Sequence, residues 1–143
     1  MGIFNKSKKE KAKPVENQST LREDIAISKD WIATALRSSG YNADFTLESL
    51  KEIDRFFDEQ IDGLLVKNRG SKLFALGCYI GEVLIDEYGG QWITDDSDPK
   101  GEINIAVRFD DGSIVWPVQR ALKRCLYGKE NDIFPYALAI GGK

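Results

Sequence analysis

Apolar positions recur at helical spacing through roughly the first two-thirds of the chain and then switch to alternation. Leu21, Ile25, Ile32 and Leu36 share one face, with Trp31 beside them, which is the period of an amphipathic helix. Thr20 and Glu23 just ahead of that run predict a capping box, in which each side chain satisfies a backbone donor at the helix start. Gly40 follows as a stop. After a short connection Thr46 is the next N-cap, and Leu47, Leu50, Phe57 and Ile61 form the stripe of a second helix. Its other face carries Glu48, Lys51, Glu52, Arg55, Asp58 and Glu59, with opposite charges one turn apart, as on a solvated face. Gly63 is expected to end it. Leu64-Leu65-Val66 is a short apolar run with no assignable state.

A third helix is expected from Ser71, as N-cap, to the Gly89-Gly90 stop. Leu73, Phe74, Gly77, Cys78, Gly81, Leu84, Ile85 and Tyr88 fill one broad face, and Leu76, Ile80 and Val83 cover much of the other. A helix apolar nearly all round is a buried helix. Tyr79, Glu82 and Asp86 form its one polar stripe. Gly77 and Gly81 lie one turn apart, and each costs about 1 kcal/mol of helix propensity. Their expected role is to admit another backbone, most simply a sheet.

The period then becomes two. Gln91 to Thr94 reads as a short strand. Ile103, Ile105, Val107 and Phe109 alternate with polar or small residues, as in a half-buried strand. Asp111-Gly112 signals a two-residue hairpin. That register pairs Phe109 with Ile114, Val107 with Trp116 and Ile105 with Val118, all on one apolar face. A slip of one residue would expose them. Trp92 and Trp116 are read as core. Pro117 ends the last strand, makes it an edge, and can open a helix with Val118, Ala121, Leu122, Cys125 and Leu126 inward and Gly128 as cap. The apolar tail holding Ile133, Phe134, Tyr136, Leu138 and Ile140 must dock on the core or a partner. The expected fold class is α+β: N-terminal helices, a three-stranded antiparallel meander, a C-terminal helix and a docked tail.

Charge divides the chain. Five lysines (Lys6, Lys8, Lys9, Lys11, Lys13) against Glu10 give residues 1–13 a charge of +4, and the remainder carries −7. Residues 1–18 read as a flexible basic arm, and 19–143 as one globular α+β domain. The arm can make weak contact with an anionic membrane surface. The acidic globular part is poorly suited to phosphate backbones, so no specific nucleic-acid binding is expected of it. No apolar run is long enough to span a bilayer, and the expected compartment is the cytoplasm.

The chain contains no histidine, which removes histidine triads, bases and metal ligands. Cys78 and Cys125 read as small buried hydrophobes. The acidic loop Asp95, Asp96, Asp98, Glu102 fails as a calcium loop, because Lys100 and Val107 stand where oxygen ligands belong; it and Asp110-Asp111 read as polar turns. Glu82 and Asp86, one turn apart, should have a cationic or hydrogen-bonding partner, with Arg108, Arg120 or Arg124 as candidates. No catalytic residue, cofactor or metal site is assigned, and Tyr79, Glu82 and Asp86 are the stripe a partner or ligand would use.

The segment Leu76 to Trp92 resembles a pattern in uncharacterised bacterial proteins of a domain-of-unknown-function family, in which a Leu-Gly-x-Tyr-x-Gly-Glu helix runs into Gly-Gly-x-Trp. The matching residues are Leu76, Gly77, Tyr79, Gly81, Glu82, Gly89, Gly90 and Trp92. The resemblance implies a small bacterial cytosolic α+β protein and no particular activity. The function expected from the residues is a non-enzymatic binding or regulatory module acting on another protein, for instance an inhibitor that blocks a basic partner. Peripheral attachment through the arm is the alternative, and a small carboxylate- or thiol-dependent enzyme the third reading.

Overall fold

A computed structural model describes residues 19–60, 62–63 and 67–142. The basic arm with its lysines, Ile61 and the run 64–66 lie outside the described residues.

The first helix, α1 (Leu21–Ser38), begins as its sequence dictates. The Thr20 hydroxyl accepts the Glu23 N–H while the Glu23 carboxylate accepts the Thr20 N–H. Asp96 adds a third contact from far along the chain by accepting the Leu21 N–H at 2.8 Å. Thr46 caps a 3-10 turn (Leu47–Ser49) that leads into α2 (Leu50–Gln60). The long α3 (Arg69–Tyr88) starts earlier than expected. It follows Asn68, which is in the left-handed region, and Lys72 N–H already bonds the Asn68 carbonyl, so Ser71 is inside the first turn and not its cap. Gly89 ends α3, its N–H bonded to the Ile85 carbonyl at 2.8 Å.

Three short strands follow, β1 (Gln91–Ile93), β2 (Ala106–Arg108) and β3 (Ile114–Val115), as an antiparallel meander in the order β1-β2-β3. The fold is α+β, as the alternation predicts, with two corrections inside the sheet. Ile103 does not belong to β2. Asp98 accepts the Lys100 N–H and the Asn104 side-chain amide, and residues Gly101–Asn104 form a helical turn, α4, that leaves Ile103 exposed. The hairpin register also differs by one residue. Val107 pairs with Val115 and Arg108 with Ile114. The loop has three residues: Gly112 N–H bonds the Phe109 carbonyl, Gly112 sits at φ 90°, and Phe109 N–H bonds the Ser113 carbonyl. This is a turn closed by a left-handed glycine, held by Asp111, whose carboxylate accepts both the Ser113 N–H and hydroxyl. Because side chains alternate across a sheet, Ile114 and Trp116 are turned outward, and Trp116 is 45% exposed instead of core.

Pro117 opens α5 (Pro117–Tyr127), a 3-10 turn covers Gly128–Asn131, and the apolar tail forms a sixth helix, α6 (Ile133–Gly141), seated on the α2 side of the core. Leu126 is exposed, and Arg124 is buried in its place.

The core is built around α3, which packs mainly between α1 and α5 and touches the sheet more lightly. The glycines explain how. A Cβ on Gly77 would lie 2.7 Å from the Val118 Cα and 2.8 Å from its N, so the first turn of α5 fits there. A Cβ on Gly81 would run into the Trp92 Cη2 and lie 2.6 Å from its Cζ2, so β1 places its indole there. Both glycines admit a neighbour; at Gly77 it is helix backbone, and only Gly81 faces a sheet residue.

Candidate functional site

The three residues of the α3 polar stripe are not brought together. Tyr79 is fully buried. Its hydroxyl lies 2.6 Å from the Ser49 hydroxyl and accepts the Phe45 N–H at 2.9 Å, and its ring stacks on Phe45 at 4.5 Å. Burial, ahead of every other influence, raises its pKa, so the phenol stays neutral and holds the connection between α1 and α2. Glu82 is half-buried and accepts the Trp92 indole N–H at 3.3 Å. Asp86 is exposed. The expected arginine partner of Glu82 is absent among the described residues: Arg108 is exposed, Arg120 sits over the Tyr136 ring, and Arg124 is engaged elsewhere.

Arg124 is the centre of an ionic corner that the sequence reading missed. It is 2% exposed on α5. Its Nε bonds Asp54 Oδ1 at 3.3 Å, and Nη2 bonds Asp58 Oδ1 at 2.6 Å and the Asp54 carbonyl at 3.2 Å. Nε also lies 2.8 Å from Asp132 Oδ1 as a charge contact. Asp54, buried on α2, accepts the N–H groups of Ile133 at 2.7 Å and Phe134 at 2.9 Å, so it caps α6. Lys129 closes the group on Asp58 at 2.6 Å. Burial pushes the Asp54 carboxyl up, against the two N–H bonds it accepts. The Lys129 ammonium, with Arg124, holds Asp58 below the usual carboxylate range. The corner ties α2, α5 and α6 together. A signal for it exists in the sequence: Asp54 lies at helical spacing from Leu50 and Phe57, and Arg124 from Ala121, so each puts a charge of opposite sign on an apolar stripe.

The remaining chemistry-bearing groups have local duties. Cys78 is buried, and its thiol pKa is raised by desolvation first and then by Asp24, Glu102 and Glu82. Asp95 accepts the Ser97 N–H and hydroxyl, as a polar turn does. Among the described residues no group of three acidic or cysteine side chains is placed to hold a metal ion, and no helix is long and apolar enough to cross a membrane.

Two large apolar side chains stand exposed on α1. Ile27 is 67% exposed and Trp31, one turn on, 51%. They line an open groove of about 420 Å³. One wall is the α1 stripe Asp24, Ile27, Ser28 and Trp31, at the spacing of one helix face; the other is Ser71, Phe74 and Ala75 at the start of α3; Glu102 of α4 closes the end. Phe74 and Ala75 are buried beneath it, so the floor is apolar and the end acidic. The field of those carboxylates is felt at Cys78. The arrangement can receive an apolar side chain and a cation next to it. Trp31 is noticeable in the sequence as an aromatic beside the main stripe; Ile27 becomes visible only when α3 is placed next to it.

No family model, no curated protein and no solved structure matches the chain.

Proposed function

We propose that this chain is a non-enzymatic binding module that acts through protein contacts in the cytoplasm, with the α1–α3 groove as its contact site. The observation that carries this reading is the pair Ile27 and Trp31, half or more exposed on one helix face beside an apolar floor. Large apolar side chains clustered at a groove and rimmed by polar groups are how a protein presents an interaction site. The acidic end sets the partner's chemistry: a segment with an apolar side chain for the Ile27–Trp31 wall and a lysine or arginine for Asp24 and Glu102. A non-enzymatic role is supported by the duties of the other polar groups. The Cys78 thiol is buried and held protonated, Tyr79 and Asp54 bond backbone, and the turn carboxylates accept local N–H groups.

The test is site-directed photo-cross-linking. A benzophenone amino acid at Ser28, in the groove wall, is expected to trap one partner protein in the native cell. That adduct should disappear when Ile27→Ser and Trp31→Ser are combined, and persist in Leu138→Ser, an exposed position on α6. No adduct, or one indifferent to Ile27 and Trp31, overturns the assignment. A cross-link to residues 1–18 of the same chain would assign the groove to the chain's own arm instead.

A further inference from the structure

The free edge of the small sheet lies beside a second groove. The strand order makes β3 an edge. Phe109 N–H bonds the Ser113 carbonyl at 2.9 Å, so residues 109 and 113 are a hydrogen-bonded pair and, two positions on, so are Val107 and Val115. Bonding alternates in an antiparallel ladder, which turns the N–H and C=O of Ile114 away from β2. No described residue bonds them. The groove, about 210 Å³, is lined on this side by Ile114, Val115 and Trp116. Successive strand residues point to opposite faces, so a groove that touches all three runs along the strand's edge. Its other wall is Gln119, Arg120 and Lys123 of α5 and Tyr136 of α6.

Lys51, Arg55, Arg124 and Lys129 are each paired with carboxylates. Arg120 is not. Its guanidinium lies over the Tyr136 ring, 4.1 Å from the centroid, and its Nη1 bonds Asn131 at 3.3 Å, so it is held in place with its charge uncompensated. Lys123, and Arg108 across from Ile114, also have no ion-pair partner among the described residues. Arg120 and Lys123 therefore line a groove beside an exposed tryptophan and an open strand edge, with Arg108 across from Ile114, in a chain of net charge −3.

We propose that the β3 edge takes up an extended acidic segment of a partner protein as an added strand. Its backbone pairs with Ile114, as in recognition by strand addition. Its carboxylates meet Arg120 and Lys123 within the field of Arg108, and an apolar side chain covers Trp116. This surface shares no lining residue with the α1–α3 groove, so either assignment can fail alone.

The probe is an eight-residue peptide of alternating glutamate and valine, titrated into the isotope-labelled full chain. The expected result is saturable binding with amide shifts centred on residues 114–116 and on the Trp116 indole. Affinity should fall with added salt, since exposed charges are screened. The Arg108→Glu, Lys123→Glu double variant changes two exposed side chains and should weaken binding by about tenfold or more. The lysine–valine counterpart should not bind, and methylating alternate peptide nitrogens should abolish binding where only charge attraction would survive. No saturation by about 1 mM, a limit corresponding to very weak association, overturns the proposal. So do shifts centred elsewhere, equal binding of the methylated peptide, equal binding of a single-stranded oligonucleotide at the same residues, or self-association of the chain through this edge.

Discussion

The ionic corner at Arg124 and the groove at Trp31 treat their exceptional residues in opposite ways. At the corner, charges that would ordinarily be in water are buried, and each has been given partners from other helices: Asp54 from α2, Arg124 from α5, and the first N–H groups of α6. At the groove, side chains that would ordinarily be buried are left in water, and no described element covers them. Burying a charge is costly unless it is paired, and removing one partner leaves the other stranded. Exposing a few apolar side chains costs little. The corner is thus bound up with stability, and the groove is free to serve something other than the fold.

Substitutions should separate the two regions widely. Asp54→Ala removes the acceptor for Arg124 and for two backbone donors at once, and chemical denaturation should show a loss of about 3–5 kcal/mol. A loss below about 1 kcal/mol would mean that water reaches the corner and that the contrast with the groove is false.

The next effect probes the packing of α3, which lies between the α1 groove wall and the α5 side of the corner. Gly81→Leu drives side-chain atoms into the Trp92 indole. It should destabilise by about 2–3 kcal/mol through overpacking, despite its better helix propensity. A neutral result would show that the α3–β1 contact gives way freely.

The corner should also carry a pH signature. Asp58 is depressed from its ordinary 3.8 in the fold, so its contribution is complete above that value and disappears as the pH falls through its lower folded value. Asp54 is raised, so its contribution is present below about 3.8 and is lost as the pH climbs through its higher folded value. Asp58→Asn should therefore flatten the acid limb of the stability curve, and Asp54→Asn the limb above it. Unchanged curves in both variants would remove the electrostatic account of the corner.

Glu82→Gln should have the smallest effect of these. Its partner is an indole N–H, which an amide oxygen can also satisfy, so the loss should stay under about 1 kcal/mol. A loss of several kcal/mol in denaturation would require a cation on Glu82 that the structure does not place there.

Local chemistry was the most legible part of the sequence. Thr20 with Glu23, Thr46, and Pro117 each mark a helix start by a rule that involves only near neighbours, and each start lies within a few residues of its mark. Gly77 and Gly81 announced a close neighbour, though not which one. The failures involve distant residues or closely competing local forms. Asp111-Gly112 suits a two-residue turn, but Ser113 gives Asp111 two donors to accept, and the three-residue loop wins by one register step. That step turns Trp116 outward. Likewise Ile103 continues the alternating pattern, while Asp98 gathers residues 100–104 into a helical turn. Tyr79 read as polar surface because its partners, Ser49 and Phe45, are about 30 residues away. The groove was the least legible of all, since its walls come from α1 and α3 and meet only in the tertiary structure.

The direct test of the central claim pairs a stability measurement with a contact measurement on one protein, the Ile27→Ser, Trp31→Ser double variant. If the two side chains serve a partner and not the fold, its denaturation midpoint should shift by no more than ordinary surface changes do, about 0.5 kcal/mol per site, while the Ser28 photo-adduct is lost. Severe destabilisation, or an adduct that forms as before, would contradict the account.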